Sequence, residues 1–352
     1  MSITACSDEQ NLEATATKTV EAAAPSSKST QPAIPSSPTV LEFADAETLF
    51  VADSARGSIV AYTLPESSQS AAKPAAWNLL DLDALLIDEL GAAPRGIKYH
   101  DLAVHPKTQE AYISLSASVG GKAQSMVVAV SREGAAMQLD LESLPSQQFV
   151  LENPADDGVS FWRDIPAASF TVTDLDYRDG ELYVSGLSTG EFASTLRRVP
   201  FPFTDSNTST GVEMYHAAHG QMETRAPIRA MSIVDLNGVP SIVAAYTCTP
   251  LVTVPIEDLE DGTKITGRTV AELGYGNTPL EVLSFETANM QGETQSFVLV
   301  INREKNADLI ALDQLAEAAK APGLSDPIPY LGATAGVATI PIPLSGVFQA
   351  AD

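Results

Sequence analysis

The chain has 352 residues with 44% hydrophobic side chains, enough to bury a full core in one large domain or two ordinary ones. Lys and Arg number 20 against 45 Asp and Glu, a formal net charge of -25, which argues against nucleic acid or anionic lipid binding through the body of the protein. Two cysteines are too few for a disulfide framework, and no apolar run nears the roughly 18 residues that span a bilayer.

Residues 7 to 40 are Ser, Ala, Thr, Pro and Glu with almost no large apolar group, so residues 1–40 read as a disordered tether. Ile3-Thr4-Ala5-Cys6 at its head resembles the bacterial lipobox, whose cysteine is acylated. That resemblance implies lipidation at Cys6, a membrane partner through the lipid, and a place outside the cytoplasm, in the periplasm or on the outer membrane. Ser7 after the cysteine is compatible with the outer membrane.

From residue 41 to the end the pattern is short alternating strands broken by turn residues, one all-β domain over 41–352. Units of strand, polar turn, strand, loop, strand begin at about 41, 97, 170, 228 and 279, with a weaker fourth strand such as AAMQLDL or GVEMYH in most. Between the first units, insertions fall at about 65–96 and 141–169. Within the first, WNLLDLDALLIDEL (77–90) puts Leu79, Leu82, Leu86 and Leu90 on one helical stripe, a short packing helix. HDLAVHPKTQEAYIS and TDLDYRDGELYVS align with each other and set Asp101 and Asp174 at equivalent points. Repeats of roughly 50 residues and four strands indicate a β-propeller. Six blades are expected, with five or seven as alternatives and a pair of β-sandwiches as the competing fold. The C-terminal piece ATAGVATIPIPLSGVFQ is expected to complete a sixth blade or to pair with the first and close the ring.

ELYVSG and TLFVADSARGSIVAYTL resemble strands of the bacterial extracytoplasmic propellers of the YVTN and lactonase-like group, over about residues 41 to 350. The resemblance implies a ring in which two classes of connecting loop share one face. Loops between blades would bring Arg95, Trp162, Arg163, Asp164, the stretch HAAHGQMETRAP and GYGNTP to that face. Loops between second and third strands would bring Arg56, Glu191, Cys248 and Arg303. Lactonase-like propellers hold a divalent ion with carboxylates and Asn in the channel. Here Asp101 and Asp174 match such positions and the Asn ligands do not, which leaves a calcium hydrolase in doubt.

The candidate site follows from those loops. Arginines gathered on one face of an acidic protein (Arg56, Arg95, Arg163, Arg225, Arg303) suit a small anionic ligand such as a carboxylate or phosphate, or else pair with neighbouring acids. His100, Asp101, Asp174 and Glu191 join Arg95, Arg163 and Arg225 as channel or ligand-binding candidates. His216 and His219, three apart, would face opposite ways on a strand and can chelate only if the chain leaves the strand, which Gly220 permits. With Met214, Met222 and Cys248 they form a candidate metal set: Met with His suits copper, His with carboxylate suits zinc. There is no Gly-x-Ser-x-Gly and no complete catalytic set. The chain therefore reads as a non-enzymatic, membrane-tethered binding or scaffold module for a protein partner or small anion. A metal-dependent lactonase-like hydrolase, or a copper- or zinc-binding accessory protein, is the alternative.

Overall fold

Hairpins set the local geometry. At Gly120-Gly121, Asp179-Gly180 and Asn237-Gly238 both turn residues have positive φ, the two-residue turn whose twist matches paired strands. Each joins two paired strands, such as Asp174–Arg178 and Glu181–Leu187. The computed structural model describes residues 34–66, 77, 79–162, 164–274, 276–329, 333–344 and 346–351. Cys6 and Arg163 lie outside them.

The described residues form five sheets of four or more strands, antiparallel except for one parallel pair in the third, and a two-stranded ribbon. The first sheet is Val40–Asp45, Thr48–Asp53, Ser58–Thr63 and Ser146–Val150. The second is Ala92–Val104, Ala111–Val119, Lys122–Val130 and Ala136–Gln138. The third runs from Asp174–Arg178 through Glu181–Leu187, Ser194–Pro200 and Thr208–His216 to Gln221–Glu223, with Lys264–Thr266 parallel to Thr208–His216. The fourth holds Ile228–Asp235, Pro240–Tyr246, Pro250–Pro255, Arg268–Glu272 and Ala335–Gly336. The fifth holds Pro279–Ala288, Thr294–Asn302, Ala307–Ala311 and Ile340–Ile342.

Opening strands lie side by side. That of the first sheet neighbours those of the second and third, the third's neighbours the fourth's, and the fourth's neighbours the fifth's. Between the sheets lie four apolar layers: Leu41, Val60, Ala103 and Val127; Phe50, Ile59, Leu182 and Val184; Leu196, Val212, Ile242 and Tyr246; Val243, Leu251, Val298 and Val300. Short sheets packed face to face around their opening strands are a propeller-like arrangement.

Two sequence expectations need correcting. Sheet order around the hub is second, first, third, fourth, fifth, because the entire second sheet is inserted between the third and fourth strands of the first. Residues 146–150, expected within an insertion, supply that fourth strand through pairs such as Val60 with Gln148. The C-terminal piece makes no sixth sheet among the described residues: Ala335–Gly336 extends the fourth sheet and Ile340–Ile342 the fifth. Both outer edges present unpaired backbone groups that a passing strand satisfies locally.

The two end sheets are covered differently. Helix α1 (Leu82–Leu90), capped by the Asp81 carboxylate at Ala84 N–H and ended by Gly91 at φ 62, lays Leu86 and its neighbours on the free face of the second sheet. Val347 and Ala350 pack on the free face of the fifth, and Gln349 donates its amide N–H to the His100 carbonyl of the second. Helix α2 (Leu312–Lys320) buries Leu315 and Ala316 against the fourth and fifth sheets.

Carboxylates tie the opening strands together. Leu41 N–H donates to Asp101 at 2.7 Å, Tyr177 N–H to Glu42 at 3.3 Å, Met231 N–H to Asp174 at 2.6 Å and Ile233 N–H to Asp176 at 2.7 Å. Each such bond joins two sheets. Burial pushes the Asp101 carboxyl up to about 7 against the lowering pull of its backbone donors. Burial and then the Asp101 charge lift Asp174, and burial and then Asp174 and Asp101 lift Glu281.

Leu86→Ala should cost about 2–5 kcal/mol in urea unfolding, since a fully buried leucine is removed from the cover of an end sheet. A carboxyl whose pKa rises on folding stabilises the fold fully below its unfolded value of 3.8 and loses that contribution as pH climbs through about 7. Thermal stability should therefore fall between about pH 4 and about pH 7, and Asp101→Asn should flatten that fall. An unchanged slope in the variant would remove Asp101 as its source.

Candidate metal centre

Thr208–His216 alternates, with Thr210, Val212, Met214 and His216 buried on one face. The strand stops at His216. Gly220, at φ 66, donates its N–H to the His216 carbonyl at 2.8 Å, and the chain doubles back into Gln221–Glu223. Registry sets His216 opposite Gln221 and Met214 opposite Glu223, so Glu223 returns to the face that carries His216. His219, on the turn, brings its ring to 3.8 Å from that of His216, centroid to centroid.

Both rings address one carboxylate. His216 Nδ1 lies 3.0 Å from Glu223 Oε2, and His219 Nδ1 is hydrogen-bonded to Oε1. Ligand atoms from all three side chains fall within 4.8 Å of one another. Burial pushes the Glu223 carboxyl up, but hydrogen bonds and charge from the two imidazoles outweigh it and hold the pKa at about 2. The His216 side chain is 1% exposed, that of Glu223 11% and that of His219 18%, so the group opens to solvent beside His219.

The other edge of His216 faces the fourth sheet. Its Nε2 is 3.5 Å from Thr249 Oγ1 and 3.9 Å from Glu272 Oε1. Glu272 is 1% exposed and fully engaged: Oε1 accepts from Ala217 N–H at 2.7 Å and Ala218 N–H at 3.3 Å, and Oε2 from the Thr249 hydroxyl. This places the loop between the third and fourth sheets beside the turn at Thr247–Thr249, so the two classes of loop meet at one end. The segment after α2 clamps the turn, with Ile328 N–H donating to the Ala217 carbonyl at 3.0 Å and Pro327 against Gly220.

Two imidazoles and a carboxylate are a zinc-type donor set, and an imidazole whose second nitrogen faces a hydroxyl and a carboxylate is held in orientation as metal-bound histidines are. Three of the expected ligands are elsewhere. Met214 is fully buried in the apolar layer between third and fourth sheets. Met222 points from the opposite face of its strand and is 44% exposed. Cys248 sits half-buried at φ 78 in its turn and is not among the converging side chains. Glu223, close to the histidines in the sequence, and Glu272 both stand outside the expected ligand set. Glu223 had a signal, since a hairpin at Gly220 sets it opposite Met214; Glu272, inside TVAEL, had none.

The remaining candidates are dispersed. His100, on the second sheet, hydrogen-bonds Ser116 Oγ at 2.7 Å, and burial, then Lys98, lower its pKa. Asp101 and Asp174 tie the opening strands. Arg95 and Arg225 are exposed. Glu191 pairs with Lys264 in a cleft of about 360 Å³ that also includes Ser188, Phe192 and Thr263; its two charges neutralise each other.

No protein-family model matches the chain, and no curated protein does. Among solved structures, extracellular domains 1-2 of Drosophila Semaphorin 1b are similar over 77% of this chain and 73% of that one, at 11% identity and a TM-score of 0.28. A likeness this loose carries nothing further.

Glu223→Gln should lower stability at neutral pH by about 1–3 kcal/mol, the cost of leaving buried donors poorly matched. A carboxyl with a depressed folded pKa stabilises above its unfolded value of 4.5 and loses that as pH falls through about 2. The gap between wild type and variant, read from urea midpoints, should hold down to about pH 4.5 and narrow below it.

Proposed function

We propose that the protein is a binding module of the propeller type, its ring closed where the C-terminal tail spans the fifth and second sheets, with a zinc centre of His216, His219 and Glu223 at the loop-bearing end. The observation that carries this reading is the convergence of three ligand atoms on one solvent-reaching spot, with Thr249 and Glu272 steadying His216 behind it. Zinc bound there would supply a fixed positive charge and a position open to an oxygen or nitrogen donor from a partner or small molecule. The absence of both methionines from the cluster favours zinc over copper. Asp101 and Asp174 each commit an oxygen to a backbone N–H and have raised pKa values, which favours the loop site over calcium in the channel.

The module is further proposed to sit outside the cytoplasm, tethered by an acylated Cys6 through the stretch that follows it; the lipobox-like Ile3-Thr4-Ala5-Cys6 supports this. Solvent access beside His219 favours, as a second reading, a zinc-dependent hydrolase in which the open position activates water.

Elemental analysis of chelator-treated protein re-exposed to zinc should find about one zinc per chain, and His216→Ala with His219→Ala should abolish it. Retention of stoichiometric zinc by the double variant would place the metal elsewhere. Failure of radiolabelled fatty acid to appear on Cys6 of the full-length chain expressed in bacteria would withdraw the tether.

A further inference from the structure

Arg229 is the extra residue where the opening strand of the fourth sheet slips register, between Ile228 opposite Tyr246 and Ala230 opposite Ala245. A bulge residue leaves the in–out alternation and re-aims its side chain. The Arg229 guanidinium carbon stands 5.4 Å from the centroid of the Phe170 ring, at the end of the helical turn that leads into the third sheet. Its Nε is buried without a hydrogen-bond partner. Among the described residues no carboxylate forms an ion pair with it or with Arg303.

Arg303 follows the second strand of the fifth sheet, held by its N–H to the Thr278 carbonyl at 3.0 Å, with an exposed side chain. Burial first, and then the charge of Arg303, pull the Arg229 pKa down. The opposing carboxylate is Asp174, which already accepts Met231 N–H at 2.6 Å and forms no ion pair with Arg229. Phe170, Arg229 and Arg303 come from three adjacent sheets and stand where opening strands begin and second strands end. His216 and Thr249 meet at that same end. Two arginines at one end of a chain of net charge -25, one of them with a buried, unpartnered Nε, suit an anion there.

We infer that Arg229 and Arg303 together bind a small oxyanion, a carboxylate or phosphate group, at the end of the sheets where their opening strands begin, with the Phe170 ring steadying the Arg229 guanidinium. Guanidinium groups present paired N–H donors that match two oxygens of such a group. The site is independent of the zinc centre.

Calorimetric titration of metal-stripped protein at fixed ionic strength, with inorganic phosphate and separately with succinate, tests this. Saturable binding of at least one probe is expected, and Arg303→Gln and Arg229→Met should each weaken it about tenfold or more. Arg303 is exposed, so its variant keeps the test valid even if Arg229→Met fails to fold. Phosphate alone binding marks a phosphoryl ligand, and succinate alone a carboxylate. His219→Ala should leave the binding intact. No saturable binding of either probe, equal binding by Arg303→Gln, or loss of binding in His219→Ala would overturn the inference.

Discussion

The innermost strand of each sheet has a neighbour on one side only, and that constraint organises the molecule. Its other edge carries backbone N–H groups that no ladder satisfies. Leu41, Tyr177, Met231 and Ile233 donate theirs to carboxylates from the adjacent sheet, at 2.6 to 3.3 Å. A carboxylate is short and acceptor-rich, so one side chain can both fill the orphan position and fix the spacing between sheets. The cost is desolvation: Asp101, Asp174 and Glu281 crowd the hub, and their pKa values rise. The hub is thus bonded and electrostatically loaded at once.

With the hub fixed, the ends of the strands have fixed places too. The turn after His216 and the turn at Thr249 come from different sheets, yet they touch because both sheets are anchored at their opening strands. The metal-type cluster is a small outgrowth: one strand overruns its neighbour, reverses at Gly220 and returns Glu223 beside His216. Buried support from Glu272 makes that outgrowth rigid, since its two oxygens hold the turn's backbone and the Thr249 hydroxyl together.

Apolar faces at the two ends of the row are handled by different means. A helix covers the second sheet, and a tail covers the fifth. Both are sequence-cheap ways to bury a face that would otherwise lie open, and the Gln349 amide links them to the same hub through the His100 carbonyl.

The sequence by itself determined the strands, their hairpins and the helix near residue 80, because those depend on periodicity and on turn residues within a few positions of each other. It also showed that His216 and His219 could meet if the chain left its strand at Gly220. Tertiary structure decided which strand completes which sheet, since Ser146–Val150 joins a partner more than eighty residues away and an edge accepts any suitable short segment. It likewise decided that Met214 belongs to the core, that Glu272 stands behind His216, and that Arg229 lies over the Phe170 ring. Those outcomes turn on which face a residue presents to a neighbour distant in the chain, a relation that periodicity alone does not carry.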